Sequence, residues 1–117
     1  MPFRSMFEKE HKITVAMGDY LFREGDQPDF LYFLISGYAR VQIGTREIEI
    51  LDPGQIVGEM ALIGNTPRSA SVQAATDCEF ARVDENRFLN LVTMAPGFAI
   101  TVMRIMAKRL REAQHHK

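Results

Sequence analysis

The sequence has little cysteine, little histidine and almost no net charge. The single cysteine, Cys78, cannot form a disulfide within the chain, which favours a reducing compartment. The three histidines, His11, His115 and His116, all lie outside the stretch rich in strand-type residues, so we predict no metal site. A formal net charge of −1 argues against direct binding of nucleic acid, which needs a basic surface.

Long apolar runs are also missing from the sequence. No stretch approaches the ~20 consecutive apolar residues that a membrane-spanning helix needs, and the start, Met1-Pro2-Phe3-Arg4, lacks the apolar stretch of a signal peptide. We therefore predict a cytoplasmic protein with no membrane span. The sequence also offers no Ser-His-Asp or Cys-His constellation, so we predict no catalytic residues and no enzymatic activity.

Short segments of strand character, separated by glycines, fill residues 13–83. At 117 residues and 46% hydrophobic content, the chain can form one domain with a real core, which we assign to residues 1–117. The strand-type segments are Ile13–Ala16, Tyr20–Phe22, Phe30–Ser36, Tyr38–Ile43, Arg46–Leu51, Gln55–Val57, Ser69–Ala74 and Cys78–Val83. Many short strands with regular turns are typical of a mainly β sandwich or barrel.

Two of these segments also predict how their strands are buried. Phe30 to Ile35 are apolar throughout, which predicts a strand buried on both faces. Arg46 to Ile50 alternate between charged and apolar residues, as a half-exposed strand does.

A helical pattern precedes the strands. Within residues 1–12, three apolar residues fall at helical spacing: Phe3, Met6 and Phe7. The spacing predicts a short N-terminal helix that packs on the domain, and a frayed terminus fits the same residues.

A second helical pattern follows the strands. Asp84 can cap a helix that runs through Val92, and Pro96 suits the first turn of another, so residues 84–117 are predicted to form two C-terminal helices. Inward-facing residues are expected at Phe88, Leu89 and Val92, then at Ala99, Val102, Met103, Met106 and Leu110, with Phe98 and Ile105 widening the stripe. This wide apolar face could dock a partner protein or a second copy of the chain.

The segment from residue 57 to residue 71 combines features that bind anions. Gly58 allows a tight turn, and Glu59 to Ile63 form a short helix whose first amides attract negative charge. Gly64 and Asn65 end that helix after about one turn. Arg68 can clamp a phosphate, while the carboxylate of Glu59 suits a hydroxyl donor. A sugar phosphate with a hydroxyl beside its phosphate would satisfy all three groups.

Each of these features has an ordinary structural explanation when taken alone. An arginine after a proline is usually a solvated charge, and a glutamate in the first turn of a helix is commonly only a partner of the helix dipole. Their combination in one register, with small residues where a ligand needs space, favours ligand binding.

The segment resembles the phosphate-binding cassette of the cyclic nucleotide-binding domain family. The matching positions are Gly58, Glu59, Ala61, Pro67, Arg68, Ser69, Ala70 and Ser71. The resemblance extends to Gly18, Gly25, Tyr32 and Gly37, and so spans nearly the whole chain. It implies a mainly β fold with flanking helices, an eight-stranded β-roll or jelly roll over residues 13–83. The helices would be a short N-terminal one, a one-turn cassette helix and two C-terminal ones.

The resemblance also implies which residues hold the ligand. Arg68 would bind the cyclic phosphate, Glu59 would bind the ribose 2′-OH, and backbone amides near Ala61 and Ala70 would complete the phosphate cradle. The full predicted ligand-binding set is Gly58, Glu59, Met60, Ala61, Arg68, Ser69 and Ala70. Contacts to the base, or from a lid over it, are assigned to Val57, Met106, Arg109 and Leu110.

The ligand that the resemblance implies is cyclic AMP, with cyclic GMP tolerated, and no cofactor or metal. In the family, a hydroxyl directly after the arginine, here Ser69, can accept from the 2-amino group of guanine, although serine also occurs in adenine-binding relatives. The chain would then be a sensor whose C-terminal helices are repositioned when the nucleotide binds.

Three other classes of function compete with a sensor. A metal-dependent enzyme on a similar barrel would need histidines from its strands. A transcription regulator of the catabolite activator type would need a helix-turn-helix domain, and the chain stops soon after the predicted last helix, so we expect no independent DNA binding. A protein-interaction module that had lost its ligand would normally lack Arg68 or Glu59, and both are present; this scaffold role is kept as the alternative.

Overall fold

The computed structural model describes residues 4–7 and 9–115, which form eight strands and four helices. The strands are β1 (His11–Val15), β2 (Tyr20–Phe22), β3 (Leu31–Ser36), β4 (Ala39–Ile43), β5 (Arg46–Leu51), β6 (Ile56–Val57), β7 (Ser71–Ala74) and β8 (Cys78–Val83). The helices are α1 (Arg4–Phe7), α2 (Glu59–Gly64), α3 (Glu85–Met94) and α4 (Pro96–His115).

The strands form two four-stranded antiparallel sheets, in the orders β1-β8-β3-β6 and β2-β7-β4-β5. Non-consecutive strands lie side by side in both sheets, so the chain crosses repeatedly between them. This arrangement confirms the predicted mainly β fold, an eight-stranded β-roll with flanking helices.

Strand β3 is an inner strand of the first sheet, between β8 and β6. The residues from Leu31 to Leu34 are all buried, as the continuous apolar run predicts. On the inner face of the roll, Tyr32 and Leu34 join a buried cluster that includes Val41, Val72 and Phe80. This cluster is the core against which the cassette is built.

The N-terminal segment differs from the prediction at its end. Helix α1 is present, and its Phe7 stacks on the ring of Phe33 with the two centroids 4.4 Å apart. Strand β1, however, begins at His11, inside the stretch predicted to be helical to residue 12, because residues from His11 onward pair with β8. The prediction that no histidine lies in a strand is therefore wrong for His11, whose side chain is exposed. Phe3, also assigned to this helix, lies outside the described residues.

Strand β5 departs from simple alternation. Val41 is paired with Glu49, but Gln42 is paired with Glu47, so Ile48 is an extra residue in β5. Such a β-bulge changes which side chains face each side of a sheet. Ile48 and Ile50 are consequently exposed, whereas Leu51 is completely buried. Simple alternation would have placed the isoleucines on the buried face.

The chain divides into two compact units between Glu85 and Asn86. In the helical unit, the rings of Phe88 and Phe98 lie 5.8 Å apart and join α3 to α4. The start of α4 at Pro96 is as predicted, and α3 continues two residues beyond Val92. No described helix has both the length and the apolar character needed to cross a bilayer.

The buried face of these two helices is rotated from the predicted one. Leu91, Phe98 and Val102 are buried, while three residues predicted to face inward are exposed: Leu89, Met103 and Leu110. Apolar residues occur on more than one face of α4, so spacing alone fits either orientation. The assignment of one domain to residues 1–117 stays a prediction.

Candidate functional site

The cassette begins with a turn at Gly58, directly after β6. Gly58 has φ 87° and ψ 2°, in the left-handed region that glycine adopts without strain. The turn starts α2, whose six residues end at Gly64, and the residue that follows, Asn65, is also left-handed at φ 53°. The amide of Thr66 donates to the carbonyl of Ala61 at 3.1 Å and closes the helix end.

Arg68 is the most heavily bonded side chain of the cassette. It is only 3% exposed. Its Nη1 donates to the carbonyl of Gly58 at 2.9 Å, and its Nη2 donates to the carbonyl of Phe30 at 2.5 Å. The same Nη2 lies 3.2 Å from Oδ1 of Asp29. The guanidinium therefore connects the start of α2 with the residues just before β3.

Aromatic rings support the guanidinium from the inner side of the roll. Its central carbon lies 4.1 Å from the centroid of the Phe22 ring and 5.8 Å from that of Tyr32. The Nε atom is buried and has no hydrogen-bond partner among the described residues. The backbone of Arg68 is held as well, since its amide donates to the Asp26 carbonyl and its carbonyl accepts from the Gly25 amide, both at 2.8 Å.

Glu59 is the second charged residue that the cassette buries. It opens α2 and is 0% exposed. Among the described residues, Glu59 and Arg68 are the buried polar or charged side chains of the roll. Taking a charged group out of water costs free energy that hydrogen bonds and ion pairs must offset, and the cassette meets this cost twice, for Glu59 and for Arg68, beside the Gly58 turn.

The tyrosine beneath Arg68 is kept neutral. Burial and, to a smaller extent, the Asp29 carboxylate raise the pKa of Tyr32 to about 12, against the opposite effects of Arg68 and Arg82. Because the pKa in the folded state lies above the ordinary value of 10.0, the folded state holds the phenol proton more tightly than the unfolded state does. The resulting contribution to the free energy of unfolding is complete below pH 10 and is lost as the pH rises from about 10 to about 12.

The remaining residues predicted to bind the ligand differ in burial. Ala61 is buried, Met60 and Gly58 are half-buried, and Ser69 is exposed. Ala70 packs against the inner core, and Val57 belongs to that core. The candidate lid residues Met106, Arg109 and Leu110 belong to α4, in the helical unit, where Leu110 is exposed.

Sequence reasoning missed the partners that hold Arg68. Asp29 and the carbonyl of Phe30 lie 39 and 38 positions before it, so no local motif announces them. Phe22 and Tyr32 are aromatic residues within strand-type segments, which is only a weak indication that they contact Arg68. No group of three or more His, Cys, Asp or Glu able to hold a metal occurs in the described part of the chain, and His116 lies outside it.

Comparison with known proteins places this geometry in a family. The family model described as "Cyclic nucleotide-binding domain" matches residues 12–94. The cyclic AMP receptor protein of Thermus thermophilus is 35% identical over 101 residues, which are 82% of this chain and 47% of that protein. The chain thus spans about half the length of this relative.

Solved structures agree with this assignment. The catabolite activator protein of Thermus thermophilus superposes with a TM-score of 0.83 at 30% identity, covering 94% of this chain and 54% of that one. The EAL enzyme Bd1971, solved in cyclic AMP-bound and cyclic GMP-bound forms, gives a TM-score of 0.68 with each form, at 34% identity. Each match covers 91% of this chain and 29% or 30% of the Bd1971 chain. The buried Arg68 and Glu59 of the cassette, the roll that holds them and these matches agree: the chain belongs to the cyclic nucleotide-binding domain family.

Proposed function

We propose that the chain is a sensor that binds cyclic AMP, with cyclic GMP as a weaker ligand. The observation that carries this proposal is the burial of one arginine and one glutamate, Arg68 and Glu59, in a single cassette. The names of the relatives support the ligand class, since one is a cyclic AMP receptor and another is solved with either nucleotide.

Arg68 can bind a phosphate without giving up its present partners. A guanidinium has five N–H donors in a fixed fork. Three hydrogen bonds use Nη1 and Nη2, and Nε has no partner among the described residues. Two donors therefore remain for phosphate oxygens, and the bonds already made hold the guanidinium in one orientation. Charge-assisted bonds of this kind are short and strong.

Glu59 supplies the complementary acceptor for a ribose hydroxyl. A carboxylate only accepts hydrogen bonds, and a phosphate would repel it. The 2′-OH beside the cyclic phosphate donates, so the two buried charges would read adjacent groups of one nucleotide. The amides of Met60 and Ala61, in the first turn of α2, and that of Ala70 would complete the phosphate cradle.

Repositioning of the C-terminal helices is the proposed output. A ligand can shift the equilibrium between two arrangements of the helices only by the difference in its affinity for the two. Val57, Met106, Arg109 and Leu110 are the proposed contacts to the base that would supply this difference. We further propose that the chain releases its ligand unchanged; the absence of DNA binding and a cytoplasmic location stay predictions.

Replacing Glu59 with glutamine is expected to weaken cyclic AMP binding by about 5- to 12-fold. The amide oxygen still accepts from the 2′-OH, so only the difference between a charged and a neutral hydrogen bond is lost, roughly 1–1.5 kcal/mol at ~1.4 kcal/mol for each tenfold in affinity. Calorimetric titration with cyclic AMP and with 2′-deoxy-cyclic AMP measures the effect. The deoxy ligand lacks the hydroxyl, so it should bind weakly to the wild type and should not distinguish the two proteins.

Glu47→Gln is the matched control, because Glu47 is exposed on the outer face, where it pairs with Arg40. That variant should bind both ligands as the wild type does. Equal weakening of both ligands by Glu59→Gln would show a purely structural role for Glu59. A folded wild type that binds neither cyclic AMP nor cyclic GMP would overturn the proposed sensor.

The protein-interaction role is the second candidate, and exposed apolar residues on α4 favour it. Ile100, Met103 and Leu110 are 46%, 54% and 54% exposed. Their spacing of three and seven residues places them along one stripe of the helix, as in a helix that pairs with another.

Sedimentation velocity tests this stripe directly. We expect the wild type to sediment increasingly as a dimer as concentration rises, and Met103→Glu to stay monomeric, because a charge on the stripe would have to be buried. Lys108→Glu introduces a glutamate at an exposed position of α4 away from the stripe and should leave the dimer intact. A wild type that is monomeric at every concentration would remove the homodimer proposal.

A further inference from the structure

The bulge in β5 places a carboxylate on the inner face of the roll. Glu49 is paired with Val41, and Leu51, two residues further on, is completely buried in the inner core. The register is regular between Glu49 and Leu51, so both side chains lie on the same face, while Ile50 between them is exposed on the other. Glu49 is half-buried, at the rim of that face.

Glu49 also lies in line with the cassette across the sheet. Val41 is paired with Glu49 on one side and with Val72 on the other, so the three residues form a row over β5, β4 and β7. Neighbouring strands lie about 4.8 Å apart, which makes the row about 10 Å long. Strand β7 starts at Ser71, directly after the Arg68-Ser69-Ala70 end of the cassette. A nucleotide with its phosphate at Arg68, lying along this row, would therefore bring the far edge of its base to Glu49.

At the far edge of the purine, adenine and guanine differ in whether they donate or accept a hydrogen bond. At position 6, adenine carries an amino group, which donates, and guanine carries a carbonyl oxygen, which accepts. A carboxylate accepts only, and its two oxygens offer about four lone-pair sites, so it can take a further donor beside any bond it already makes. It would bind the amine through a charge-assisted bond and repel the carbonyl.

We propose that Glu49 selects the base, by accepting a hydrogen bond from the 6-amino group of adenine and disfavouring guanine. This inference rests on the proposed function, because it needs the phosphate at Arg68. Glu49 belongs to neither the cassette nor α4, and simple alternation in the sequence would have placed its side chain on the solvent-facing side of β5.

The test compares the affinities of wild type and Glu49→Gln for cyclic AMP and cyclic GMP by calorimetry. An amide can donate as well as accept, so it no longer repels the guanine carbonyl. We expect the ratio of cyclic AMP to cyclic GMP affinity to fall about tenfold or more, which corresponds to ~1.4 kcal/mol. A cyclic nucleotide with chlorine in place of the 6-amino group should bind wild type weakly and should not distinguish the two proteins.

Glu47→Gln, on the opposite face of the same strand, is the control and should leave the ratio unchanged. Failure of wild type to bind either nucleotide would overturn the proposed function itself. Wild-type binding with an unchanged ratio in Glu49→Gln would overturn only the role of Glu49. A ratio that rises would overturn it too, and would mean that the carboxylate accepts from the N1–H and 2-amino groups of guanine. Melting curves of each variant separate these outcomes from misfolding.

Discussion

Replacing Arg68 with alanine is expected to weaken cyclic AMP binding by about 30-fold to several thousand-fold. Removing one member of a buried, hydrogen-bonded charge pair costs ~2–5 kcal/mol, and each ~1.4 kcal/mol is tenfold in affinity. The phosphate would then lie in a cradle without its cation. Calorimetry at a temperature at which both proteins are folded gives the comparison.

The same substitution should also lower the free energy of unfolding. The carbonyls of Gly58 and Phe30 both accept from the guanidinium, and a buried acceptor left without a donor costs ~1–3 kcal/mol. Chemical denaturation measures this loss directly. Arg68 therefore contributes to the fold as well as to the proposed site, which its position in a proline-stiffened loop does not suggest.

Arg68→Lys is the informative companion variant. Lysine keeps the positive charge but presents a compact ammonium in place of a planar fork, so it cannot reach two carbonyls and a phosphate at once. We expect an affinity between those of wild type and Arg68→Ala. An alanine variant that binds cyclic AMP within threefold of wild type would contradict the assignment of Arg68 to the phosphate.

Replacing Gly58 with alanine is expected to damage both the fold and the site. A Cβ at this position would come within 2.6 Å of Nη1 of Arg68 and 3.2 Å of the Phe30 carbonyl oxygen. The left-handed backbone, at φ 87°, adds strain of roughly 1–2 kcal/mol for a residue with a side chain. We expect unfolding at lower denaturant concentration and at least tenfold weaker cyclic AMP binding, because the guanidinium must move.

Gly18→Ala separates the effect of backbone strain from the effect of the close contact with Arg68. Gly18 has φ 90°, and a Cβ there would meet nothing within 4 Å, so that variant has the backbone strain without the contact. Its stability should fall, but its affinity should stay that of wild type. If the two variants bind cyclic AMP equally well, the close approach of Gly58 to Arg68 has no role in binding.

Local turn chemistry made much of the cassette predictable from sequence. Gly58 and Asn65 both adopt the left-handed conformation that their residue types favour, so the bounds of α2 follow from about eight residues. The partners of Arg68 did not follow, because Asp29 and Phe30 reach it only through the pairing of β3 with β6. Contacts that depend on strand register can be predicted only when the pairing of the whole sheet is known.

Two further differences have the same origin in non-local structure. The bulge at Ile48 depends on how β4 and β5 pair, and the alternating residues of β5 carry no mark of it. In α4, apolar residues at several helical spacings permit more than one buried face, and packing of Phe98 against Phe88 accompanies the face that forms. Residue type indicated the elements, whereas the orientation of their side chains required tertiary contacts.

The hydrogen bonds from Arg68 to two backbone carbonyls bear on how such a domain can change during evolution. A descendant that no longer needed the nucleotide could not simply discard the arginine, since the turn at Gly58 and the end of the Phe30 loop both rely on it. Selection for a folded protein would retain the residue after selection for the ligand had ended. Among duplicated copies of this domain, loss of Glu59 should therefore precede loss of Arg68. A copy that keeps Arg68 but lacks Glu59 is then expected to be one that has stopped binding the nucleotide.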